Sequence, residues 1–337
     1  MSIKQKLAER AKPVEIALAE YLEIRKPSKL YEAMAHIPLA GGKRLRPVMA
    51  LLTSEMVGGK SEKAIPFATS LEVIHNFTLV HDDVMDDDDL RHGVAACHTV
   101  YGLPTAILAG DSLFSYAFEM ITESEVSDGI KAELVRHVAY TVRRIAEGQQ
   151  MDINFEDEET VKTDEYLEMI RLKTSILFGS AAYGGALIGG ASTEQANELR
   201  QMAIWVGLGF QIWDDYLDAT APAEVLGKPS GSDIRQGKRT LLVIDALNRA
   251  TESERTELIG ILDNKNNSEE DIARAVQIMD KSGALKHCHE EAMRYLDGAK
   301  ETLRKYPEGD ARSTLEELLE YMAVSYTHLT LPTRRGG

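Results

Sequence analysis

Apolar residues recur every three to four positions along most of the chain, which is the spacing of one face of an α-helix. No stretch alternates convincingly between apolar and polar positions, so no strand is predicted. The sequence therefore predicts an all-α protein. The helical pattern covers residues 2–24, 30–37, 48–57, 66–85, 105–122, 130–153, 164–190, 203–213, 240–250, 253–262, 268–282, 284–305 and 311–322.

Turn residues separate these segments. Pro38 is expected to end the helix 30–37, and Gly58-Gly59 to end the helix 48–57. The length would allow two domains, but no Pro-, Gly- and Ser-rich linker divides the chain. We predict one domain over residues 1–324. Residues 325–337 lose the amphipathic pattern and are interpreted as a tail, disordered or artefactual.

Residues 175–193 form an uncharged run about long enough to span a bilayer. The run is rich in small residues and contains polar Ser180 and Tyr183, which favours a helix buried tightly against other helices. No transmembrane segment is therefore predicted. The small residues that indicate close packing are Ser180, Ala181, Gly184, Gly185, Gly189 and Gly190.

Of the 337 residues, 44% are hydrophobic and 27% charged, so the chain can bury a sizeable core. The formal net charge of −16 argues against nucleic-acid binding, because no basic stripe is present to follow a phosphate backbone. Two cysteines, Cys97 and Cys288, without a C-x-x-C motif or a signal peptide, are typical of a cytoplasmic protein.

The most concentrated chemistry is an acidic run at residues 82–89, which contains six aspartates. Asp82 and Asp86 stand four residues apart at the end of a predicted helix, so both lie on one face with Asp83 beside them. Oxygen ligands without His or Cys suit Mg²⁺. An acidic run of this kind is either a metal site or a solvated surface.

A second acidic cluster favours the metal site. Asp214, Asp215 and Asp218 repeat the D-D-x-x-D spacing at the end of another apolar helix. Two matched clusters that each close a hydrophobic helix are not expected from unrelated solvated surfaces. Basic residues are grouped near glycines, and together they indicate a phosphate site opposite the metal. These basic groups are Lys43, Arg44 and Arg46 in the loop 41–47, Arg91, Lys173, Lys228, and Lys238-Arg239.

These motifs resemble the trans-type, head-to-tail isoprenyl diphosphate synthases over roughly residues 25–320, and most of all the archaeal-type geranylgeranyl or bifunctional farnesyl/geranylgeranyl enzymes. The resemblance implies a single-domain antiparallel helix bundle around a deep cavity, a homodimer, and two aspartate motifs that face each other at the cavity mouth. It is carried by Gly41–Pro47, Asp82–Asp86 with Arg91, Gly110-Asp111, Lys173-Thr174, Phe210-Gln211, Asp214–Asp218 and Gly227-Lys228.

The resemblance further implies a Mg²⁺-dependent prenyltransferase. Such an enzyme ionises an allylic diphosphate (dimethylallyl, geranyl or farnesyl), condenses the carbocation with isopentenyl diphosphate and eliminates a proton. Three Mg²⁺ would be ligated by Asp82, Asp86 and Asp214. The remaining aspartates of the two motifs, Asp83, Asp215 and Asp218, would complete or orient that shell.

Substrate roles also follow from the resemblance. Arg91, Lys173 and Lys228 would contact the allylic diphosphate. The carbocation would be steadied by Gln211 and Thr174, and the released diphosphate would take the proton. Isopentenyl diphosphate would be held without metal by Lys43, Arg46 and His75, with His92 in the place of a further arginine. Lys238 is expected to bind substrate as well.

Two positions bear on specificity. Most relatives have two arginines where this chain has Arg91-His92, so His92 is expected to bind isopentenyl diphosphate more weakly or in a pH-dependent way. Phe77 and Thr78 lie five and four residues before Asp82. One aromatic residue there resembles enzymes that make C20 products, some of which also release C15, and Phe77 is expected to form the floor of the cavity.

Two other classes remain open. Terpene cyclases and head-to-head synthases also use aspartate-rich helices and Mg²⁺, but generally lack the loop 41–47 for a second diphosphate. A noncatalytic partner subunit would keep the fold and lose the aspartates, whereas both motifs are intact here.

Overall fold

The computed structural model describes residues 1–91, 93–156, 158, 160–221, 231–264 and 266–324. These residues are helical almost throughout, which confirms the predicted all-α class. One hairpin was not predicted. Its strands, Leu90–Arg91 and Val94–Ala95, pair antiparallel with Leu90 opposite Ala95. Strands of two residues are too short to show an alternating pattern.

Long helices match the predicted segments to within a few residues at most of their ends. The largest differences are a longer helix around residues 203–213 and an interruption within 164–190. The α-helices are Ile3–Tyr21, Ser28–Leu39, Leu45–Met56, Ile65–Met85, Cys97–Tyr101, Leu103–Thr122, Asp128–Glu156, Thr163–Ile170, Ile176–Ile188, Thr193–Thr220, Ser232–Arg235, Leu241–Arg249, Glu252–Leu262, Glu269–Lys281, Ala284–Leu303 and Asp310–Val324, with a 3-10 helix at Ser61–Ala64 and a π-helical turn at Arg171–Ser175.

Two helix boundaries lie close to prolines. Pro38 is predicted to end its helix, and the helix Ser28–Leu39 stops one residue past it, because a proline lacks the amide needed to continue the helical bonding. The next helix begins at Leu45 rather than Val48, so Pro47 stands in its first turn. The first turn of a helix has no intrahelical partner for its amides, so proline is tolerated there.

The chain divides into two compact units. Unit 1 comprises Met1–Val142, Leu177–Gln201 and Leu303–Glu317, and unit 2 comprises Arg143–Ile176, Met202–Thr302 and the described residues from Leu318 on. Several of these divisions fall inside helices, such as Asp128–Glu156, rather than at a linker. One domain over residues 1–324 remains a prediction, and the tail 325–337 lies outside the described residues.

Unit 1 is built around the helix Ile65–Met85, whose residues from Phe67 to Ile74 are all buried. The small residues of Ile176–Ile188 permit close packing, as predicted. A Cβ at Gly184 would lie 2.1 Å from Phe67 Cζ, and one at Gly185 would lie 2.1 Å from the Ala50 carbonyl oxygen. Gly190 is different, because it is exposed beyond the helix end at φ +96°. No helix in the described part of the chain is long and apolar enough to cross a membrane.

Unit 2 has its own hydrophobic core. The helix Thr193–Thr220 contributes Leu208, Ile212 and Leu217 to this core. The helix Leu241–Arg249 is buried from Leu241 to Ala246, and Cys288 lies in the same cluster. The carboxylates at the end of Thr193–Thr220 are therefore carried on a well-buried helix.

Candidate active site

The first aspartate motif, residues 82–86, lies in the last turn of Ile65–Met85. The Asp86 amide donates to the Asp82 carbonyl over 2.8 Å. Asp87 follows with a left-handed backbone at φ 55°, and the Asp88 amide donates to the Asp83 carbonyl over 3.0 Å. Negative side chains at a helix C-terminus oppose the helix dipole. The motif therefore lowers helix stability unless a cation neutralises it.

Burial separates the three carboxylates of this motif. Asp83 is buried, Asp82 is half-buried and Asp86 is exposed. Arg91 in the hairpin donates from Nε to Asp83 Oδ1 over 2.7 Å and also contacts Asp88. Burial raises the pKa of the Asp83 carboxyl, while the bond from Arg91 opposes that rise. Asp82 and Asp86 are thus the carboxylates that can reach a metal, and Asp83 holds Arg91.

The basic loop 41–47 uses its three cations differently. Arg44 is buried at a left-handed position and donates to Glu72 Oε1 over 2.6 Å and to the Pro38 carbonyl over 2.6 Å. Lys43 is exposed. Arg46 is half-buried with its guanidinium 4.6 Å from the centre of the Phe178 ring. Arg44 therefore anchors the loop, which leaves Lys43 and Arg46 as candidate ligands for an anion.

The face of Ile65–Met85 before the motif carries the predicted specificity residues. His75, Phe77 and Thr78 are each half-buried, and the Thr78 hydroxyl donates to the His75 carbonyl over 2.7 Å. The Phe77 ring centre lies 5.3 Å from that of Phe114, on the helix Leu103–Thr122. The same ring lies 5.3 Å from the ring of His81 in an edge-on arrangement. Phe77 therefore belongs to an aromatic group between two helices.

The second aspartate motif, residues 214–218, shows the same division. Asp214 is exposed, whereas Asp215 and Asp218 are buried. Asp218 Oδ2 accepts the backbone amide of Asp233 over 2.9 Å, and its carbonyl accepts the Gly231 amide over 2.7 Å. Asp218 therefore holds the chain at the short helix Ser232–Arg235. Only Asp214 presents an exposed carboxylate for a metal in this motif.

Asp215 is the centre of a hydrogen-bond network. Its Oδ2 accepts the hydroxyl of Tyr166, and its Oδ1 accepts Gln211 Nε2 over 3.0 Å. Gln211 Oε1 in turn accepts the Thr174 hydroxyl over 3.1 Å. Burial, assisted by the negative charge of Asp233, raises the pKa of Asp215, and the hydrogen bonds from Tyr166 and Gln211 oppose that rise. Thr174, Gln211 and Asp215, predicted separately from the sequence, are thus directly linked.

Lys173 and Thr174 lie in the π-helical turn Arg171–Ser175, where the Ile176 amide donates to the Arg171 carbonyl. Such turns are rare and are frequently found at functional sites. Lys173 Nζ lies 2.6 Å from Asp152 Oδ2, which gives this lysine a carboxylate partner.

Two predicted binding residues, His92 and Lys228, lie outside the described residues. Lys238 is exposed, with its Nζ 3.8 Å from Asp233 Oδ1. Across the described part of the chain, no three His, Cys, Asp or Glu side chains converge into a ready metal site. Mg²⁺ needs only one or two carboxylates when waters and substrate phosphates complete its shell. In each motif by itself, accessible carboxylates suit that kind of binding: the half-buried Asp82 and exposed Asp86 in the first, and the exposed Asp214 in the second.

Three residues of these networks were not predicted from the sequence. Tyr166 lies seven residues before Lys173, two helical turns away, so the face of the helix could have indicated it. Glu72 is the one acidic residue between Lys63 and Asp82 in the sequence, and a lone carboxylate in an apolar helix requires a partner. Nothing in the pattern distinguishes Asp152 from its acidic neighbours.

Comparison with known proteins places the chain among prenyl synthases. Residues 27–279 match the polyprenyl synthetase family. The short chain isoprenyl diphosphate synthase of Methanothermobacter thermautotrophicus is 42% identical over 322 residues, covering 96% of this chain and 97% of that protein. The geranylgeranyl diphosphate synthase of Methanosarcina mazei is 38% identical over 322 residues, covering 96% and 98% respectively.

A solved structure shows the same relationship in three dimensions. The geranylgeranyl pyrophosphate synthetase of Pyrococcus horikoshii superposes with a TM-score of 0.91 at 39% sequence identity. The superposition covers 96% of this chain and 98% of that protein. The likeness therefore extends over nearly the whole of both chains.

Proposed function

The chain belongs to the polyprenyl synthetase family and is a head-to-tail prenyltransferase, and we propose that it extends allylic diphosphates with isopentenyl diphosphate to all-trans C20 products, with C15 as an additional product. One observation supports the assignment most directly. Each aspartate motif keeps one exposed carboxylate, Asp86 or Asp214, while a buried carboxylate of the same motif, Asp83 or Asp215, orients neighbouring residues. A purely structural acidic cluster would not require that division.

The family uses a divalent metal. Our proposal is three Mg²⁺ per active site, held by Asp82, Asp86 and Asp214. When bound, Mg²⁺ supplies positive charge that stabilises the diphosphate as it leaves. The buried carboxylates orient the residues around the metal instead of binding it. By fixing their neighbours they keep the ligating carboxylates and the basic groups in place; these buried residues are Asp83, Asp215 and Asp218.

The allylic diphosphate is assigned to Arg91, Lys173 and Lys228. Arg91 is already oriented by Asp83, and Lys173 by Asp152. Pre-orientation lowers the entropy that each side chain loses on binding an anion. Both cations can turn from a carboxylate to a phosphate without becoming unpaired. The Gln211 carbonyl oxygen and the Thr174 hydroxyl present partial negative charge to the carbocation, and the departing diphosphate accepts the proton.

Isopentenyl diphosphate is assigned to Lys43, Arg46 and His75, together with His92, and Lys238 is assigned to substrate binding in general. The buried Arg44 supports this role, because it fixes the loop that carries Lys43 and Arg46. Burial lowers the pKa of Arg46 to about 10, so its guanidinium is still protonated at neutral pH and gains from an anionic ligand.

Product length is assigned to Phe77, with Thr78 as the adjacent smaller residue. The contact of Phe77 with Phe114 supports this role, because a packed ring blocks a growing chain better than a ring free to rotate. Removal of the ring is therefore expected to lengthen the product.

A homodimer in the cytoplasm completes the proposal. The helix Leu103–Thr122 exposes Leu103, Ile107 and Leu108 at 51%, 42% and 57%. An exposed apolar stripe of this kind is typical of an interface. Light scattering on the wild type and Ile107→Glu tests the dimer, since the charge should produce a monomer.

The proposed location in the cytoplasm agrees with the two cysteines, Cys97 and Cys288, which are buried as free thiols and suit a reducing compartment.

The activity is tested by incubating the purified protein with isopentenyl diphosphate, each allylic primer and Mg²⁺, then measuring the chain length of the dephosphorylated products. Elongation to C20 supports the proposal. Cyclised or head-to-head products would assign another reaction, and a lack of elongation with every primer would leave a noncatalytic subunit. A predominant C25 product would contradict the proposed length.

A further inference from the structure

The hydroxyl of Tyr166 occupies an unusual position for a tyrosine. The side chain is buried, with 4% of its surface exposed, and its hydroxyl donates to Asp215 Oδ2. Asp215 is itself 6% exposed and uses its second oxygen, Oδ1, to accept Gln211 Nε2 over 3.0 Å. Each oxygen of this buried carboxylate thus accepts a hydrogen bond from a different donor, which fixes the orientation of the Asp215 side chain.

This division fixes the orientation of the Gln211 amide. Because Nε2 is bound to Asp215, Oε1 must point the other way, and there it accepts the Thr174 hydroxyl over 3.1 Å. An amide oxygen has two lone pairs, so Gln211 Oε1 retains one after accepting from Thr174. Three successive hydrogen bonds thus link Tyr166, Asp215, Gln211 and Thr174. Together they fix the direction of Gln211 Oε1, which carries partial negative charge.

The backbone at the far end of this chain is also held tightly. A Cβ at Gly148 would lie 2.5 Å from the Lys173 amide nitrogen, and one at Gly207 would lie 2.6 Å from Ser175 Cα. Two helices therefore pack directly against the π-helical turn, each through a glycine. The turn consequently has little freedom to move. Within this network the adjustable element is the Gln211 side chain, whose position depends on Asp215.

We propose that Tyr166 is a positioning residue for the carbocation step, because its hydroxyl fixes Asp215 and thereby directs the Gln211 carbonyl oxygen. This inference rests on the proposed function, since it assigns to Gln211 and Thr174 the task of steadying the cation. A hydroxyl that only stabilised the fold would affect the amount of folded protein, not the rate of the chemical step.

The test uses Tyr166→Phe in the full-length protein with saturating Mg²⁺. We expect kcat to fall about tenfold or more, since small displacements of orienting groups have effects of this size. The KM for isopentenyl diphosphate should stay within about twofold, because that substrate is assigned to other residues. The matched control is Tyr306→Phe, which removes a buried hydroxyl bound to Glu198 over 3.0 Å and should leave kcat unchanged.

Two further variants distinguish positioning from a general loss of structure. In a Gln211→Ala background, adding Tyr166→Phe should cause no further fall in kcat, because both changes interrupt one chain. Asp215→Asn should reproduce the Tyr166→Phe defect even if Tyr166→Phe folds poorly. An asparagine offers one acceptor oxygen where Tyr166 and Gln211 each need one.

The outcomes separate this inference from the proposed function. If the wild type elongates no primer, the proposed function fails. If the wild type is active and either Tyr166→Phe or Asp215→Asn retains full kcat, the inference is overturned. Additive losses with Gln211→Ala would also overturn it, as would an effect confined to the Mg²⁺ concentration needed for half-maximal activity, which would assign the hydroxyl to metal binding.

Discussion

Arg91 donates from Nε to Asp83 Oδ1 over 2.7 Å, so a cation assigned to the substrate is held by a carboxylate of the metal motif. Asp83 has no exposed surface, whereas Asp86 in the same motif is exposed. The motif therefore combines two tasks in five residues. The accessible Asp82 and Asp86 are the carboxylates that we assign to the metal, and the buried Asp83 orients the arginine that follows.

Asp83→Asn should weaken the hold on Arg91 without removing a metal ligand. An amide is a weaker acceptor than a carboxylate for a guanidinium, because the charge-assisted bond is roughly twice as strong. We expect the KM for the allylic diphosphate to rise about tenfold, while the Mg²⁺ concentration for half-maximal activity changes little. Steady-state kinetics at varied primer and Mg²⁺ measure both. A rise in the Mg²⁺ requirement alone would show that Asp83 acts as a ligand.

Asp82→Asn should instead affect the metal-dependent step. Loss of one carboxylate that we assign to the metal on the leaving diphosphate is expected to reduce kcat by about 100-fold or more. The matched control is Asp87→Asn, in which asparagine retains the left-handed backbone at φ 55° and should cost less than about twofold. Comparable losses in the two variants would mean that the acidic run is divided wrongly between metal site and loop.

Phe77→Ala should shift the products toward longer chains. The change removes a ring packed 5.3 Å from Phe114 and opens the space that we assign to the cavity floor. Chromatography of the dephosphorylated products gives the distribution, and Thr78→Ser, which keeps the hydroxyl bonded to the His75 carbonyl, is the control. An unchanged distribution in Phe77→Ala would mean that another residue closes the cavity.

Arg44→Met should destabilise unit 1, because it leaves Glu72 as a buried charge without its partner. The two side chains are only 4% and 5% exposed, so the expected loss is about 3–5 kcal/mol in the free energy of unfolding. Urea denaturation measures this loss. Adding Glu72→Leu should restore most of it, and failure of this rescue would argue against the buried pair as its source.

The surviving Arg44→Met protein should also have a higher KM for isopentenyl diphosphate, since the loop carrying Lys43 and Arg46 loses its anchor. The KM for the allylic primer should be unaffected. Equal changes in the two KM values would indicate a general disturbance of the fold.

His137 should make stability fall in mild acid. Its ring is 8% exposed and stacks 4.1 Å from Tyr183, and burial, together with the charge of Arg200, lowers its pKa to about 4. The unfolded chain has a histidine pKa of about 6.5, so it binds more protons between these two values. The stability contributed by the neutral His137 ring is therefore fully present above about pH 6.5. It is lost progressively toward pH 4, by about 3 kcal/mol in total.

Urea denaturation at several pH values between 4 and 7 tests this expectation. His137→Phe keeps a ring against Tyr183 but cannot be protonated. The free energy of unfolding of the variant should therefore fall less than that of the wild type between pH 7 and pH 4. Parallel pH profiles in the two proteins would show that His137 does not titrate in this range.

Local pattern was sufficient to predict the helices, because each helix is stabilised by bonds between near neighbours and by one apolar face. The π-helical turn Arg171–Ser175 lay beyond that pattern. Its backbone is constrained by helices that approach through Gly148 and Gly207, and neither glycine is close to the turn in sequence. The continuous helix predicted over 164–190 is therefore interrupted at the pair Lys173-Thr174.

The loop 41–47 shows the same limit for the site. Lys43, Arg44 and Arg46 are equivalent as cations in the sequence, and their grouping was enough to indicate an anion site. Arg44 is nevertheless buried with Glu72, which lies 28 residues away. Helical spacing therefore identified the loop, and packing between helices selected which of its cations remain available.

By itself, the sequence determined the all-α class, the two aspartate motifs and the family, since these depend on residue types at short spacings. Only the tertiary structure decided that Asp82, Asp86 and Asp214 keep accessible surface while Asp83, Asp215 and Asp218 are buried and hydrogen-bonded. The reason is physical. Burial of a carboxylate depends on what packs over it, and its partners here include residues as distant as Tyr166, 49 positions from Asp215.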